Sequence, residues 1–324
     1  MASHDTFSRV FALLDAKRFE ACFIAWMSRL CPDLQSQAIH IDGKSVRGSH
    51  DADGAMAHLV SAWDSASGVT LGQIRTADKR NEIKAIPQLL ELLDVRGATV
   101  TIDAMGCQRE VVARLMACGA DYIIAVKNNP PNLAQAVEAL FSHEAEGLRQ
   151  GRLLQDTTVD KGHGRIETRR CLVSATHTLD PALTDAWPGL RSAVMVCAQR
   201  EPTSGVHKGQ ASTEWRYYIS SLSPEQLDAA GFNQRIRAHW SIENQCHWVL
   251  DVLFGEDDSR VRVDDGAENL AIVRRMALGL INQNKPLKGS RKSKRHLAAW
   301  STTHLQTLLG LQAQPAVAVS AGSP

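Results

Sequence analysis

The chain has 324 residues, 44% hydrophobic and 22% charged, with a net charge of +1 from 36 basic and 35 acidic side chains. That is the composition of an ordinary globular protein with a sizeable core, and the net charge gives little support to nucleic-acid binding as a bulk property. Apolar runs such as Tyr122 to Val126 are too short to span a bilayer, the start lacks a secretory signal pattern, and seven cysteines without a C-x-x-C pair point to reduced thiols in a cytosol.

In chain order, residues 5–30 predict one helix, with Phe7, Val10, Phe11 and Leu14 and then Phe19, Phe23, Met27 and Leu30 as its apolar positions and Cys31-Pro32 as its stop. AIHIDGKSVRGS is a short β-branched run ended by Asp-Gly, and MAHLVSAWDSASGVTLGQIRTADK predicts two strands joined by a Ser/Gly turn. NEIKAIPQLLELLD predicts a helix capped near Asn81, with a break or late start at Pro87. A strand in GATVTIDAMG, a helix ending at Gly119 and a strand in DYIIAVKNN follow. Strands alternating with helices imply a sheet containing parallel pairs and covered by helices. From 141 to 222 the pattern changes to successive strands without convincing helices, which reads as a β-rich insertion. Helices return from Pro224, and the tail LQAQPAVAVSAGSP is expected to be disordered.

Two strands share one pattern. In IHID and TVTID the apolar Ile39 and Ile41, or Val100 and Ile102, alternate with a face that carries Asp42 or Asp103, so each Asp is expected at a strand's carboxyl end. Asp-Gly alone is an ordinary turn dipeptide. Two neighbouring strands that both end in carboxylates are more informative, because a divalent cation removes the like-charge penalty of the pair. A third acid comes from RAHWSIENQCHWVLDVLFGEDDSRVR, where His239, Glu243, His247 and Asp251 recur every fourth position and form a slowly drifting helical stripe. Two Asp and one Glu make an all-oxygen ligand set suited to Mg²⁺ or Mn²⁺ and to two-metal phosphoryl transfer. Spacing alone reaches no further than a metal-dependent, nuclease-like site.

IDGKSVRGS, LVSAW, NEIKAIPQLL, TIDAMGCQ, ADYIIAVKNN, HGRIETR and HWSIENQCHWVLDVLFGEDDSRVR, in this order, resemble the H-repeat-associated family of bacterial insertion-sequence transposases. The resemblance covers nearly the whole chain up to the tail. It implies a DDE enzyme with a ribonuclease-H-like fold: an α/β mixed sheet flanked by helices, with the β-rich insertion before the last catalytic acid. It matches Asp42, Asp103 and Glu243 to the catalytic, metal-binding triad. It also implies Mg²⁺, or Mn²⁺, as cofactor, element ends and target DNA as partners, a homodimer on DNA, no membrane, and a bacterial cytoplasm with nucleoid association through DNA. The corresponding organisation is an N-terminal helical segment (1–35), the first part of the catalytic core (36–140), the insertion (141–222), the helical completion of the core (223–310) and the tail (311–324).

The chain departs from related transposases in two ways. Where relatives with such insertions place Tyr, Arg and Lys around the last Glu, this chain has Ile236, His239 and Leu250, so no tyrosine or lysine role carries over and His239 becomes the candidate phosphate contact. The family places a further helical segment before SHDTF, and a shortened copy with weakened end recognition is therefore expected. A DNA-binding remnant and a nuclease without strand transfer remain alternatives.

Lys44, Arg47, Lys127 and Arg165 are candidate DNA contacts, with basic clusters at 160–170 and 284–296 adding nonspecific affinity. Trp240 and Trp248 are expected in the core, with stacking on an unpaired base at an element end as the alternative, His247 in the core or behind the acids, and Asp251, Glu256, Asp257 and Asp258 at the surface near Arg260 and Arg262. A zinc site built from His239, Glu243 and His247 is the lesser reading, since no H-E-x-x-H accompanies them. HDADG, from His50 to Gly54, lacks the distal Glu of a calcium loop and reads as a turn.

Overall fold

The structure is a computed structural model that describes residues 3–50, 54, 56–76, 81–128, 130–162, 164–206 and 208–311. Most of HDADG and almost all of the tail lie outside the described residues. Nine strands form one sheet in the order β3-β2-β1-β4-β5-β9-β8-β7-β6. They are β1 (Ala38–Ser45), β2 (His58–Asp64), β3 (Val69–Thr76), β4 (Thr99–Ile102), β5 (Asp121–Val126), β6 (Leu153–Gly162), β7 (Arg165–Ala175), β8 (Ser192–Pro202) and β9 (Ser212–Ser220). β1 pairs parallel with β4, and β4 parallel with β5; the remaining pairs are antiparallel.

The period of two along the strands divides the core into two layers. Ile39, Ile41, Val60, Val100, Ile102, Tyr122 and Ile124 face one side. There they pack on Ile86, Leu89 and Leu90 of α3 (Glu82–Leu92) and on Val111, Val112 and Leu115 of α4 (Arg109–Ala117). The opposite face is covered by α2 (Ala16–Leu30), α8 (Ala229–Ala238), a π-helical stretch Ile242–His247, α9 (Trp248–Phe254) and α10 (Gly266–Gln283). Phe232 and Ile236 pack there on Ile123, Cys171 and Val173, and Ile242, Cys246 and Leu250 on Trp63. The remaining helices are α1 (His4–Leu13), α5 (Pro131–Ala139), α6 (Glu144–Arg149), α7 (Pro181–Asp185), α11 (Arg291–Trp300) and α12 (Thr302–Leu308). No described helix is long and apolar enough to cross a membrane.

Several elements differ from their sequence expectation. Residues 5–30 form two helices, because Asp15 caps α2 by accepting from the Arg18 amide at 2.9 Å. α3 runs unbroken through Pro87. A proline there withholds one amide and fits a helical φ, and the burial of Ile86, Leu89 and Leu90 on the sheet offsets the lost bond. The stretch 141–222 contains the short helices α6 and α7 besides its four strands, and β9 pairs with β5, so these strands extend the same sheet rather than forming a separate one.

Candidate active site

The register of β1 and β4 brings two acids together. Ile41 stands opposite Ile102 in the parallel pair, so Asp42 and Asp103 follow on adjacent strands, roughly 4.8 Å apart across the sheet, on the face under α8 and α9. Asp103 ends its strand as expected and caps the next turn, its Oδ1 accepting from the amides of Met105 (3.0 Å) and Gly106 (3.4 Å). Asp42 does not end its strand: β1 continues to Ser45 because β2 still pairs with it there, Gly43 opposite Val60 and Ser45 opposite His58. Gly43 is needed for close approach, since a Cβ would stand 2.3 Å from Glu82 Oε1 and 2.7 Å from His58 Nε2. Those two side chains pair at 2.5 Å, buried beneath the strand.

The third acid arrives on the helix. The chain from α8 to α9 passes through the π-helical stretch, whose wider turn compensates the drift of a four-residue repeat in an α-helix. His239, Glu243 and His247 therefore stay toward β1 and β4 while Ile242, Cys246 and Leu250 fill the core. His239 Nδ1 pairs with Thr101 Oγ1 at 2.7 Å, and Thr101 also pairs with His40 at 2.6 Å. His247 Nδ1 lies 3.6 Å from Asp42 Oδ2. Burial pushes His239 down to about 4 and both His247 and His40 to about 3, so all three imidazoles are neutral near pH 7.

The carboxylates act on one another. Burial raises Asp42 to about 7, the Gly43 amide opposes this, and the charges of Asp103, Glu243 and Glu82 push it up further. Glu243 is also raised, by burial and by Asp103 against the pull of Arg216. Asp103 and Glu243 line one cavity of about 290 Å³. Among the described residues no three His, Cys, Asp or Glu side chains are drawn tightly enough to enclose an ion as they stand, neither these three acids nor the histidines of the zinc reading. The donor set nevertheless fits a hard divalent cation in charge and ligand type: three carboxylates crowded by like charge, whose oxygens suit such an ion better than the neutral imidazoles beside them do.

The candidate DNA contacts divide. Lys127 is exposed at the end of β5 and lines the cavity of Asp103, Glu243 and His239. Arg165, half-exposed at the start of β7, lines a larger groove that also reaches Glu243. Arg47 is exposed, with Nε 3.5 Å from Asp257. Lys44, a DNA contact by its sequence position, instead points inward, 8% exposed, with Nζ 2.8 Å from both Asp251 and Asp257 and 3.6 Å from Glu256. Burial alone would lower its pKa, but those three carboxylates outweigh it and hold it above the usual lysine range. Glu256 is likewise not a surface acid. It is fully buried against the fully buried Arg275 at 2.8 Å, while Arg262 donates to the Gly48 carbonyl. Trp240 and Trp248 are 37% and 58% exposed rather than in the core, and the Arg216 guanidinium lies 4.9 Å above the Trp240 ring. Sequence reasoning missed Glu82, Arg216 and Arg275; Glu82 and Arg275 reach His58 and Glu256 only through tertiary contacts, and only the fold brings Arg216 over Trp240.

The fold and the site thus define a mixed α/β protein with a crowded acidic centre at the adjacent inner strands β1 and β4 and arginines beside it. The chain belongs to the DDE transposase family: the transposase DDE domain matches residues 9–280. It is 39% identical over 311 residues to YncI of Escherichia coli O157:H7, a candidate transposase, covering 94% of this chain and 77% of that protein. It is 35% identical over 309 residues to YhhI of Escherichia coli K12, a candidate H repeat-associated transposase, covering 94% and 80%. The chain is a DDE-type transposase, an enzyme class that cleaves DNA by phosphoryl transfer and uses divalent metal ions.

Proposed function

We propose that Asp42, Asp103 and Glu243 are the triad of a two-metal phosphoryl transferase that cuts insertion-sequence ends and joins them to target DNA. The observation that carries this reading is the mutual crowding of the three carboxylates: adjacent register for the aspartates, a shared cavity for Asp103 and Glu243, and a proton affinity of Asp42 raised by both partners. When bound there, Mg²⁺ or Mn²⁺ supplies activation of the attacking oxygen and stabilisation of the leaving one. The chain's residues do the rest. The triad would hold the ions; neutral His247 faces Asp42 without adding charge, while His239 is held by Thr101. Lys127, Arg47 and Arg165 would hold phosphates, and His239, being neutral, would act as a hydrogen-bonding contact rather than a cationic one.

In this reading β1 to β5 with their helices are the ribonuclease-H-like core, β6 to β9 are the insertion before the last acid, and the protein works in the cytoplasm as a homodimer on DNA. The test is cleavage of duplexes bearing the element's ends, with Mg²⁺, by the parent and by Asp42→Asn, Asp103→Asn and Glu243→Gln. Loss of both cleavage and strand transfer in all three, with the fold retained, is expected. A variant that cuts as fast as the parent removes that residue from the triad. Cleavage without joining reduces the protein to a nuclease, and zinc-dependent activity lost in His239→Ala would favour the imidazole site.

A further inference from the structure

The groove beside Glu243, about 780 Å³, is lined by Arg165, Arg169, Arg200, Arg216 and Arg237. Four of these arginines meet carboxylates. Arg200 pairs with Glu167 at 3.0 Å and Glu214 at 2.9 Å, Arg216 with Glu214 at 2.7 Å, and Arg237 with Asp160 at 2.6 Å, while Arg165 stands 3.8 Å from Glu167. Arg169 differs. Among the described residues no carboxylate comes within salt-bridge distance of it, although it is only 6% exposed. Its Nε donates to Asn233 Oδ1 at 2.7 Å, and Asn233 Nδ2 donates in turn to Asp156 Oδ2 at 2.7 Å. The neutral amide therefore aims the guanidinium without neutralising it. Burial penalises that charge and pulls the pKa below the usual arginine range. A guanidinium taken out of water without a carboxylate in contact is destabilising, and an arriving anion offsets that.

We propose that Arg169 is the built binding site for one backbone phosphate of the DNA strand that the groove leads to Glu243. This rests on the transposase reading of the triad. The planar guanidinium forks onto two oxygens of a single phosphate, a geometry that lysine does not reproduce. The strand pattern positions it: Arg165, Glu167, Arg169 and Cys171 alternate along one face of β7, running from the exposed strand start into the core under α8. Asn233 on α8 holds it directly, and Asp156 on β6 in turn fixes the Asn233 amide.

The experiment measures binding of the full chain to a short duplex in metal-free buffer across a salt series. Arg169→Gln should lower affinity roughly tenfold near 0.1 M salt and reduce the slope of log K against log salt by about 0.9, the loss of one phosphate contact. Arg169→Lys should keep most of the slope and less of the affinity. The decisive variant exchanges Asp156→Asn and Asn233→Asp together. It preserves net charge and the carboxylate–amide hydrogen bond but puts a carboxylate on Arg169, so it should bind DNA as weakly as Arg169→Gln while melting no earlier than the parent. A purely structural arginine predicts unchanged binding in the exchange variant, and that result overturns the proposal. So does unfolding of both variants, or inorganic phosphate alone displacing the duplex at micromolar concentration, which would make this a free-anion site. Cleavage lost in the triad variants together with an unchanged salt slope in Arg169→Gln would leave the transposase reading standing and remove only Arg169. No duplex binding by the parent at any salt would remove both.

Discussion

Asp42 and Lys44 lie two residues apart on one face of β1, under the same helix, and their surroundings are opposites. Around Lys44 the charges are matched: Asp251, Glu256 and Asp257 come from α9 and the turn after it, and Arg47 and Arg275 complete the set. Around Asp42 they are not matched, since Asp103, Glu243 and Glu82 are all acids and the facing His247 is neutral. The matched end anchors the Glu243 helix to the strand that carries Asp42. The unmatched end stores repulsion that a cation would relieve. Arg169 repeats the contrast with the sign reversed, as an unneutralised cation among neutralised ones.

The largest effect is expected at the unmatched end, where Asp42→Asn, Asp103→Asn or Glu243→Gln should lower Mg²⁺-dependent cleavage about a thousandfold or more, equivalent to several kcal/mol of lost transition-state stabilisation. Single-turnover cleavage of end-bearing duplexes measures it. At the matched end the effect should fall on stability. Breaking the buried pair by Glu256→Gln or Arg275→Met should cost about 3–5 kcal/mol in urea unfolding, and the double variant should recover much of that loss, because two compatible neutral groups are cheaper than one buried orphan charge. Equal melting of single variants and parent would show that the anchor is not an anchor.

A third prediction uses an unmatched acid far from the site. Glu20 on α2 is raised to about 7 by burial and by Glu268 on α10, with Lys17 opposing, and Glu268 itself is raised by burial and Asp265 against Arg75 and Lys17. A raised folded pKa favours the fold most below the unfolded value near 4.5, and that contribution disappears as pH rises through about 7. Glu20→Gln should therefore stabilise the protein at pH 8 by roughly 1–3 kcal/mol and make little difference at pH 4.5. Denaturant midpoints at the two pH values decide it, and a gain that is larger at low pH refutes the assignment. The smallest effects belong to the exposed cations: Lys127→Ala and Arg47→Ala should each weaken duplex binding a few-fold and lower the salt slope by about 0.9. No change in slope would remove that side chain from the phosphate contacts.

Much of this arrangement was legible in the chain. Alternation in IHID and TVTID puts Asp42 and Asp103 on one face of their strands, and the four-residue repeat puts Glu243 and the two histidines on one stripe, because side-chain direction follows local backbone geometry. The helix break at Asp15 was legible in principle too, as an N-cap signal hidden by a continuous apolar pattern. Lys44 and Glu256 were misread for a different reason. Charged residues beside Gly and Asp look solvated, and only the docking of α9 and α10 on β1 and β2 provides the buried partners that make their burial affordable. Trp240 and Trp248 erred the other way, as large apolar side chains that the π-helical stretch leaves on the outer side.

Local order along the chain therefore specified which residues share a strand face or a helix stripe, and with it the identity of the three candidate acids. Tertiary structure alone decided the strand register that sets Asp42 beside Asp103 and the pairing of β9 with β5 that brings the arginines of β7 to β9 alongside Glu243. It also decided which buried charges find a partner. The physical reason is range: periodicity is a property of a few consecutive residues, whereas neutralising a buried charge depends on groups hundreds of positions apart, such as Lys44 and Asp257, separated by 213 residues.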